Sequence, residues 1–316
     1  MNIYTHTLSS IVVLGTIVLL VVFLRRRGVV REENAALFAA LITRLTLPAL
    51  IFFALSHSVL EWKYLMMTGV MFAGELAVFV LARLTGGLLG LSSAQMGSFL
   101  LASVFGSSAL LGYALIVQVF PGDANVLAEA TFISELGVGL PLFTFGVMIA
   151  IYYGSGSEGM GFALKRAAGF FRSPIFAAIV AGSAWSLLEL PLDGAVIGPV
   201  FDAVRIVGKA NTLLVTLLVG VTLHFNAFGS VLPLVAAAVI LKLGLEPAAV
   251  AALAGWSVPQ PWQLQVLVIE SAMPSAMLGV ALAKQYGCDT PLASRLVFAT
   301  LAASVVTVGG MLRVLG

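Results

Sequence analysis

The stretch VIESAMPSAMLGVALAKQYG, residues 268–287, decides the fold. It is apolar and long enough to cross a bilayer, yet Pro274 stands near its middle. A proline inside a membrane helix removes one hydrogen bond, and the backbone groups it frees are tolerated only against protein or a water-filled cavity. A related pattern occurs earlier, in FGSSALLGYALIVQ, residues 105–118. Slid by 167 positions, Ser108, Ala109, Leu111, Gly112, Ala114, Leu115 and Gln118 fall on Ser275, Ala276, Leu278, Gly279, Ala281, Leu282 and Gln285, seven identities in eleven positions. Leucine-rich bias alone does not align serine, glycine and glutamine, so a duplicated half is expected.

Composition sets the class. The chain is 60% hydrophobic and 9% charged, with a mean hydropathy of +1.10; a soluble domain carries about 25% charged residues. An all-α polytopic membrane protein is expected. The net charge of +2 gives no case for nucleic acid. Cys288 is the single cysteine, and His6, His57 and His224 are scattered, so neither a disulfide framework nor a metal site is implied, and no cofactor is expected.

Apolar runs fall at about 11–24, 36–56, 64–82, 96–120 and 127–152, then at 174–190, 210–223, 231–256, 264–283 and 291–314, each read as a span of ~20 residues or somewhat less or more. Ten spans divide into a first repeat, 1–152, a polar linker, 153–173, and a second repeat, 174–316. The first run is followed by Arg25, Arg26 and Arg27 rather than preceded by them, the reverse of a cleaved signal peptide. Asp202, Arg205 and Lys209 recur at helical spacing between the sixth and seventh spans, as on an interfacial helix.

With that helix counted apart, loops on one side hold Arg25, Arg26, Arg27, Arg31, Arg83, Lys165, Arg166, Arg172, Lys284 and Arg295, and those on the other hold Lys63 and Arg313. Ten against two is a positive-inside bias that places both termini on the non-cytoplasmic side of the plasma (inner) membrane. Five spans per half then make the repeat inverted. Inverted repeats with interrupted helices meeting near the midplane mark secondary transporters.

SAMPSAMLGVALAKQYGCDTPLASRLVFATLAASVVTV, residues 271–308, resembles the end of the auxin efflux carrier family, which includes bacterial permeases for malonate, malate and related acids. The likeness extends in order through LITRLTLPALIFFALS (41–56), RSPIFAAIVAG (172–182), VGKANTLLVTLLVGVTL (207–223) and LKLGLEP (241–247). It implies broken, crossing fourth and ninth helices and elevator-type alternating access. It also implies a scaffold of spans one, two, six and seven that dimerises, and a transport part from spans three to five and eight to ten. The fourth span departs from the family, with Ser107 and Tyr113 where relatives commonly carry an asparagine and a proline. A less sharply broken fourth helix is therefore expected.

Half-helix N-termini meeting at a crossing offer backbone donors and positive dipole ends to an anion, each worth ~0.3–1 kcal/mol. The expected substrate contacts are Ser107, Ser108, Gly112 and Tyr113 on one arm, and Ser271, Met273, Pro274, Ser275 and Gly279 on the other. The bland alternative is close helix packing by small residues. Glu75 and Glu270, carboxylates at membrane depth, are candidates for a coupling proton, with a structural Glu75 bonded to Lys242 or a serine as the alternative. Arg44 reads as snorkelling, with contact to a substrate carboxylate as the alternative, and Asn211 and Pro48 read as a helix cap and a kink, with lining the face against which a mobile half slides as the alternative. No phosphate loop exists, since Gly208–Lys209 is followed by alanine, and the four aspartates lie near span ends, so no enzyme is expected. A small organic anion is the expected substrate. A sodium-coupled bile-acid-type symporter and a non-transporting sensor are the alternatives.

Overall fold

The computed structural model describes residues 3–57, 65–112, 115–116, 119–120, 126, 129–130, 132–154, 169–223, 229–257 and 260–315. Among these the chain is all helix, with no strand. The helices are α1 Ile3–Arg26, α2 Glu32–His57, α3 Leu65–Leu88, α4 Ser93–Val104, α5 Leu136–Gly154, α6 Pro174–Leu187, α7 Ile197–Thr222, α8 Leu232–Ser257, α9 Pro261–Ser271, α10 Leu278–Tyr286 and α11 Thr290–Leu315. Six of them, α2, α3, α5, α7, α8 and α11, are long and apolar enough to cross a membrane. Residues 155–168 of the expected linker, with Lys165 and Arg166, lie outside the described residues.

Local chemistry sets the helix ends. Ser92 accepts from the amide of Gln95, whose side chain accepts from the Ser92 amide, closing a capping box on α4. Ser173 caps α6 with Pro174 at its first position. Two long helices change register internally. The turns Ile42–Thr46 in α2 and Leu241–Leu245 in α8 are π-type, and each is followed one residue later by a proline, Pro48 or Pro247. A proline cannot donate to the carbonyl four residues back and crowds it, and a wider turn relieves both problems.

The segment carrying Asp202, Arg205 and Lys209 is helical and leads into a span, as its spacing predicts. It is continuous with the span, as the first half of α7, and Arg205 pairs with Asp202 at its exposed surface. Lys209 is likewise exposed.

Packing sorts the helices. α6 and α7 lie on α2, and α1 lies on α7 and α11. Glycines permit the closest of these approaches: a Cβ on Gly182 of α6 would meet the Phe52 carbonyl oxygen of α2 at 3.1 Å, and one on Gly208 of α7 would meet Leu50 Cα at 3.0 Å. α3 packs on α4 and α8, and α5 on α4. At one end of the molecule the start of α4 is tied to two neighbours. The Asp289 amide donates to Ala94 O at 3.1 Å, Ser98 Oγ donates to Asp289 O at 2.8 Å, and Ser93 Oγ donates to Tyr153 O at 2.8 Å.

Candidate functional site

Two helices are interrupted where the sequence repeats itself. α9 ends at Ser271 and α10 begins at Leu278, leaving Ala272–Met277 between them. α4 ends at Val104, and a π-type turn, Ser108–Gly112, follows. The fourth helix, expected to break less sharply than in relatives, is interrupted at this point. Phe105 is fully extended, at φ −97° and ψ 128°, although no proline stands here.

Partnership between the two segments does what a proline would do. Gly106 and Ser275 face each other as an antiparallel bridge. The Ser107 amide donates to Pro274 O at 2.8 Å, and the Ala276 amide donates to Phe105 O at 2.8 Å. Backbone groups freed by both breaks thus satisfy one another inside the protein, as a buried interruption requires.

The crossing faces α2 and α7 across a cavity of about 140 Å³. Gly106, Ser107 and Ser108 line it from the first arm, and Ala276, Met277 and Leu278 from the second. Ser134 and Gly139 contribute from the π-type stretch Ile133–Gly139 leading into α5. Leu47 and Ile51 of α2 and Asn211, Thr212 and Val215 of α7 close the far wall. Ser134 Oγ donates to Ser108 Oγ at 3.2 Å, and Thr46 Oγ1 donates to Asn211 Oδ1 at 2.9 Å. Asn211 is therefore no helix cap. It is buried in the middle of α7, held by α2 and turned to the cavity.

The expected site residues divide into groups. Ser107 and Ser108 line the cavity. Ser275 is buried with its hydroxyl engaged: Oγ donates to Ala102 O, Thr300 Oγ1 donates to Ser275 Oγ at 2.8 Å, and its amide donates to Thr300 Oγ1 at 3.2 Å. Ser271 is fully buried, its hydroxyl on Val268 O, and Met273 and Pro274 are buried in the crossing itself. Gly279 packs on Leu101 of α4, where a Cβ would make an ordinary 3.4 Å contact. Gly112 lies against the fully buried Glu270 carboxylate, which occupies the space a Cβ would need. Tyr113 lies outside the described residues, as does Gln118.

Lys242 and Glu246 of α8 form an ion pair with no exposure on either side. The Lys242 ammonium also donates to Ser271 O at 3.2 Å, and a Cβ on Gly106 would fall 2.9 Å from it. This lysine therefore reaches both arms of the crossing. Lys242 bonds Glu246 rather than Glu75, so the expected alternative for Glu75, a bond to that lysine, is not what the structure contains. Glu246 went unnoticed in the sequence, although four residues between opposite charges on a helix is the spacing that brings them together.

A second cavity, of about 440 Å³, lies between α3 and α5. Glu75 and Phe105 are at its inner part, and Arg83, Tyr152 and Tyr153 belong to its lining where those helices end. Among the described residues no cluster of His, Cys, Asp or Glu could hold a metal ion.

Residues 163–312 match a family model described as a membrane transport protein. That interval contains α6 to α10, most of α11, Lys242, Glu246 and the second arm of the crossing. Two archaeal proteins are similar over nearly the whole length. An uncharacterized transporter of Methanocaldococcus jannaschii is 26% identical over 307 residues, covering 94% of this chain and 96% of its own. An uncharacterized transporter of Methanothermobacter thermautotrophicus is 28% identical over 313 residues, covering 96% of this chain and 95% of its own. The chain is thus similar from end to end to proteins named as transporters, and it carries a multi-pass arrangement of apolar helices.

Proposed function

We propose that this protein is a secondary transporter of small organic anions of the auxin efflux carrier type, and that its substrate binds in the cavity between the crossing and the α2–α7 wall. The observation that carries the reading is the hydrogen-bonded bridge Gly106–Ser275 beside a largely apolar cavity that also holds three serines, Asn211 and Thr212. α10 begins at Leu278, on the cavity wall, and so turns the positive end of a helix toward it, while the π-type turn from Ser108 borders it on the other arm. The hydroxyls of Ser107, Ser108, Ser134 and Thr212 and the amide of Asn211 supply further polar contacts.

A volume of about 140 Å³ holds roughly five waters at ~30 Å³ each. A small carboxylate such as malonate or malate fits a space of that order. The wall divides as an elevator would need, with α2 and α7 as the stationary scaffold and the crossing as the moving part. The two halves are read as inverted five-helix repeats, the scaffold side as the dimerising face, and the plasma membrane as the site of action.

The test is flux. Purified protein in proteoliposomes is expected to accumulate or exchange labelled malonate or malate, and Ser107→Ala and Asn211→Ala are expected to weaken it at least several-fold. Absence of both flux and ligand-induced thermal stabilisation across a panel of small carboxylates would overturn the reading. Stabilisation without flux would favour the sensor.

A further inference from the structure

The ion pair of α8 has a third charged neighbour. Glu75 on α3 is buried, and neither carboxylate oxygen has a hydrogen-bond partner among the described residues. α3 packs against the π-type turn of α8 that carries Lys242 and against the turns beyond it, with Gly74 closed on Val250, so Glu75 lies alongside the pair and within the influence of both its charges. Counted as ions, one lysine and two glutamates sum to one negative charge. An uncompensated charge at membrane depth is costly and has to be matched by something.

Two agents could match it, a small metal cation or a proton. Sodium or a similar cation needs several oxygens converging on an open position. Here a cation is already in place: the Lys242 ammonium bonds Glu246 Oε1 and Ser271 O and lies against Gly106. What is left over is a single negative charge on a carboxyl group, which one proton cancels.

We propose that Glu75, Lys242 and Glu246 form a proton-binding site, with Glu75 the residue that takes and releases the proton and Lys242 a built-in cation in place of a metal ion. The Glu75 carboxylate accepts a proton from hydronium: one O–H bond of the donor breaks as the carboxyl O–H forms, a water molecule is released, and the cluster goes from one negative charge to none; release of the proton to water reverses it. The route assigned to the proton is the larger cavity, which is mostly apolar along α3 and α5 but reaches Glu75 and carries Arg83 and Tyr152 near the ends of those helices.

Lys242 carries the consequence to the crossing. Ionised Glu75 competes with the Ser271 carbonyl for the ammonium, whereas protonated Glu75 leaves the ammonium on the last turn of α9. The remaining titratable groups on the packed elements are Arg83 on the same helix, Tyr152 and Tyr153 on α5, and Glu270 on α9, whose carboxylate lies at Gly112. The side chain of Glu135 is outside the described residues.

This site gives the proposed transporter its coupling ion, and so rests on that reading, but its test needs no substrate. Infrared spectra of the full-length protein in lipid vesicles at neutral pH are expected to show the carbonyl band of a protonated carboxyl group. That band should fade reversibly as pH is raised, vanish in Glu75→Gln, and persist in Glu270→Gln. Melting temperature should be the same in sodium chloride and potassium chloride. Glu75→Gln copies the protonated shape and should fold. A band unchanged in Glu75→Gln, no band at all, or stabilisation specific to sodium would overturn the proposal. A protein that moves no carboxylate yet shows the Glu75 band would sink the transport reading and leave the proton site standing.

Discussion

The Ser107 amide donates to the Pro274 carbonyl across 2.8 Å, and Pro274, lacking an N–H, donates nothing back. The second bond of the clamp comes instead from Ala276 to Phe105. Both bonds flank Gly106, where a Cβ would stand 2.9 Å from the Lys242 ammonium and 3.5 Å from the Met273 carbonyl oxygen. Gly106→Ala should therefore cost about 1–3 kcal/mol through overpacking. Thermal unfolding of the purified variant measures this, and wild-type stability would count against the packing account.

Ser275 and Ser107 should separate by assay. The Ser275 hydroxyl is bound to Ala102 and Thr300, so Ser275→Ala should lower stability by about 1–3 kcal/mol by orphaning buried partners. Ser107 faces the cavity, so Ser107→Ala should leave the ligand-free melting temperature near wild type while reducing the shift produced by malonate. The reverse pattern would move the binding wall elsewhere.

Gly112 and Glu270 should be coupled. A methyl group at position 112 overlaps the Glu270 carboxylate, and Gly112→Ala should destabilise markedly. Glu270→Ala opens that space, so the double variant should be more stable than the sum of the single effects predicts, by ~0.5–3 kcal/mol. Strict additivity in a thermal-denaturation cycle would show that the two do not touch.

Lys242→Met strands the Glu246 carboxylate with no exposure to water and should cost ~3–5 kcal/mol. Lys242→Met/Glu246→Met removes both charges and should recover much of that loss. Chemical or thermal unfolding of the three proteins checks the order.

Cys288, in the turn between α10 and α11, is buried beside Ala150, and burial, with Asp289 adding to it, pushes its thiol up to about 12. The thiolate is the reactive form, and its share falls tenfold for each pH unit below the pKa. Maleimide should label the folded protein very slowly at pH 7 and faster as pH rises, while the denatured chain labels readily. Rapid labelling of folded protein at neutral pH would contradict the burial.

Much of the site was legible because it depends on repetition along the chain. Pro274 marked one break, and the seven-residue match pointed to its partner, so both arms could be found from local sequence. What the sequence hid depends on tertiary partnership. Nothing in FGSS forbids a helix; Phe105 is extended where the segment opposite donates to its carbonyl from the Ala276 amide. Nor could sequence tell a serine with a spent hydroxyl, Ser275, from one with a face on the cavity, Ser107. Asn211 read as a cap because it follows charged residues, but α7 starts fourteen residues earlier, at Ile197, and puts it mid-helix. Lys242 was visible as a charge at membrane depth, while Glu246 was passed over in a motif read only for its family likeness.

The ties at the start of α4 bear on how the two arms can move. They meet at Gly106–Ser275, and they are fastened again some way off, where Ala94 and Ser98 hold Asp289 just beyond α10. Two rods pinned at one point can open like scissors; two rods pinned at separate points cannot. The angle between the arms is thereby locked, and a displacement that carries one arm must carry the other as part of the same truss.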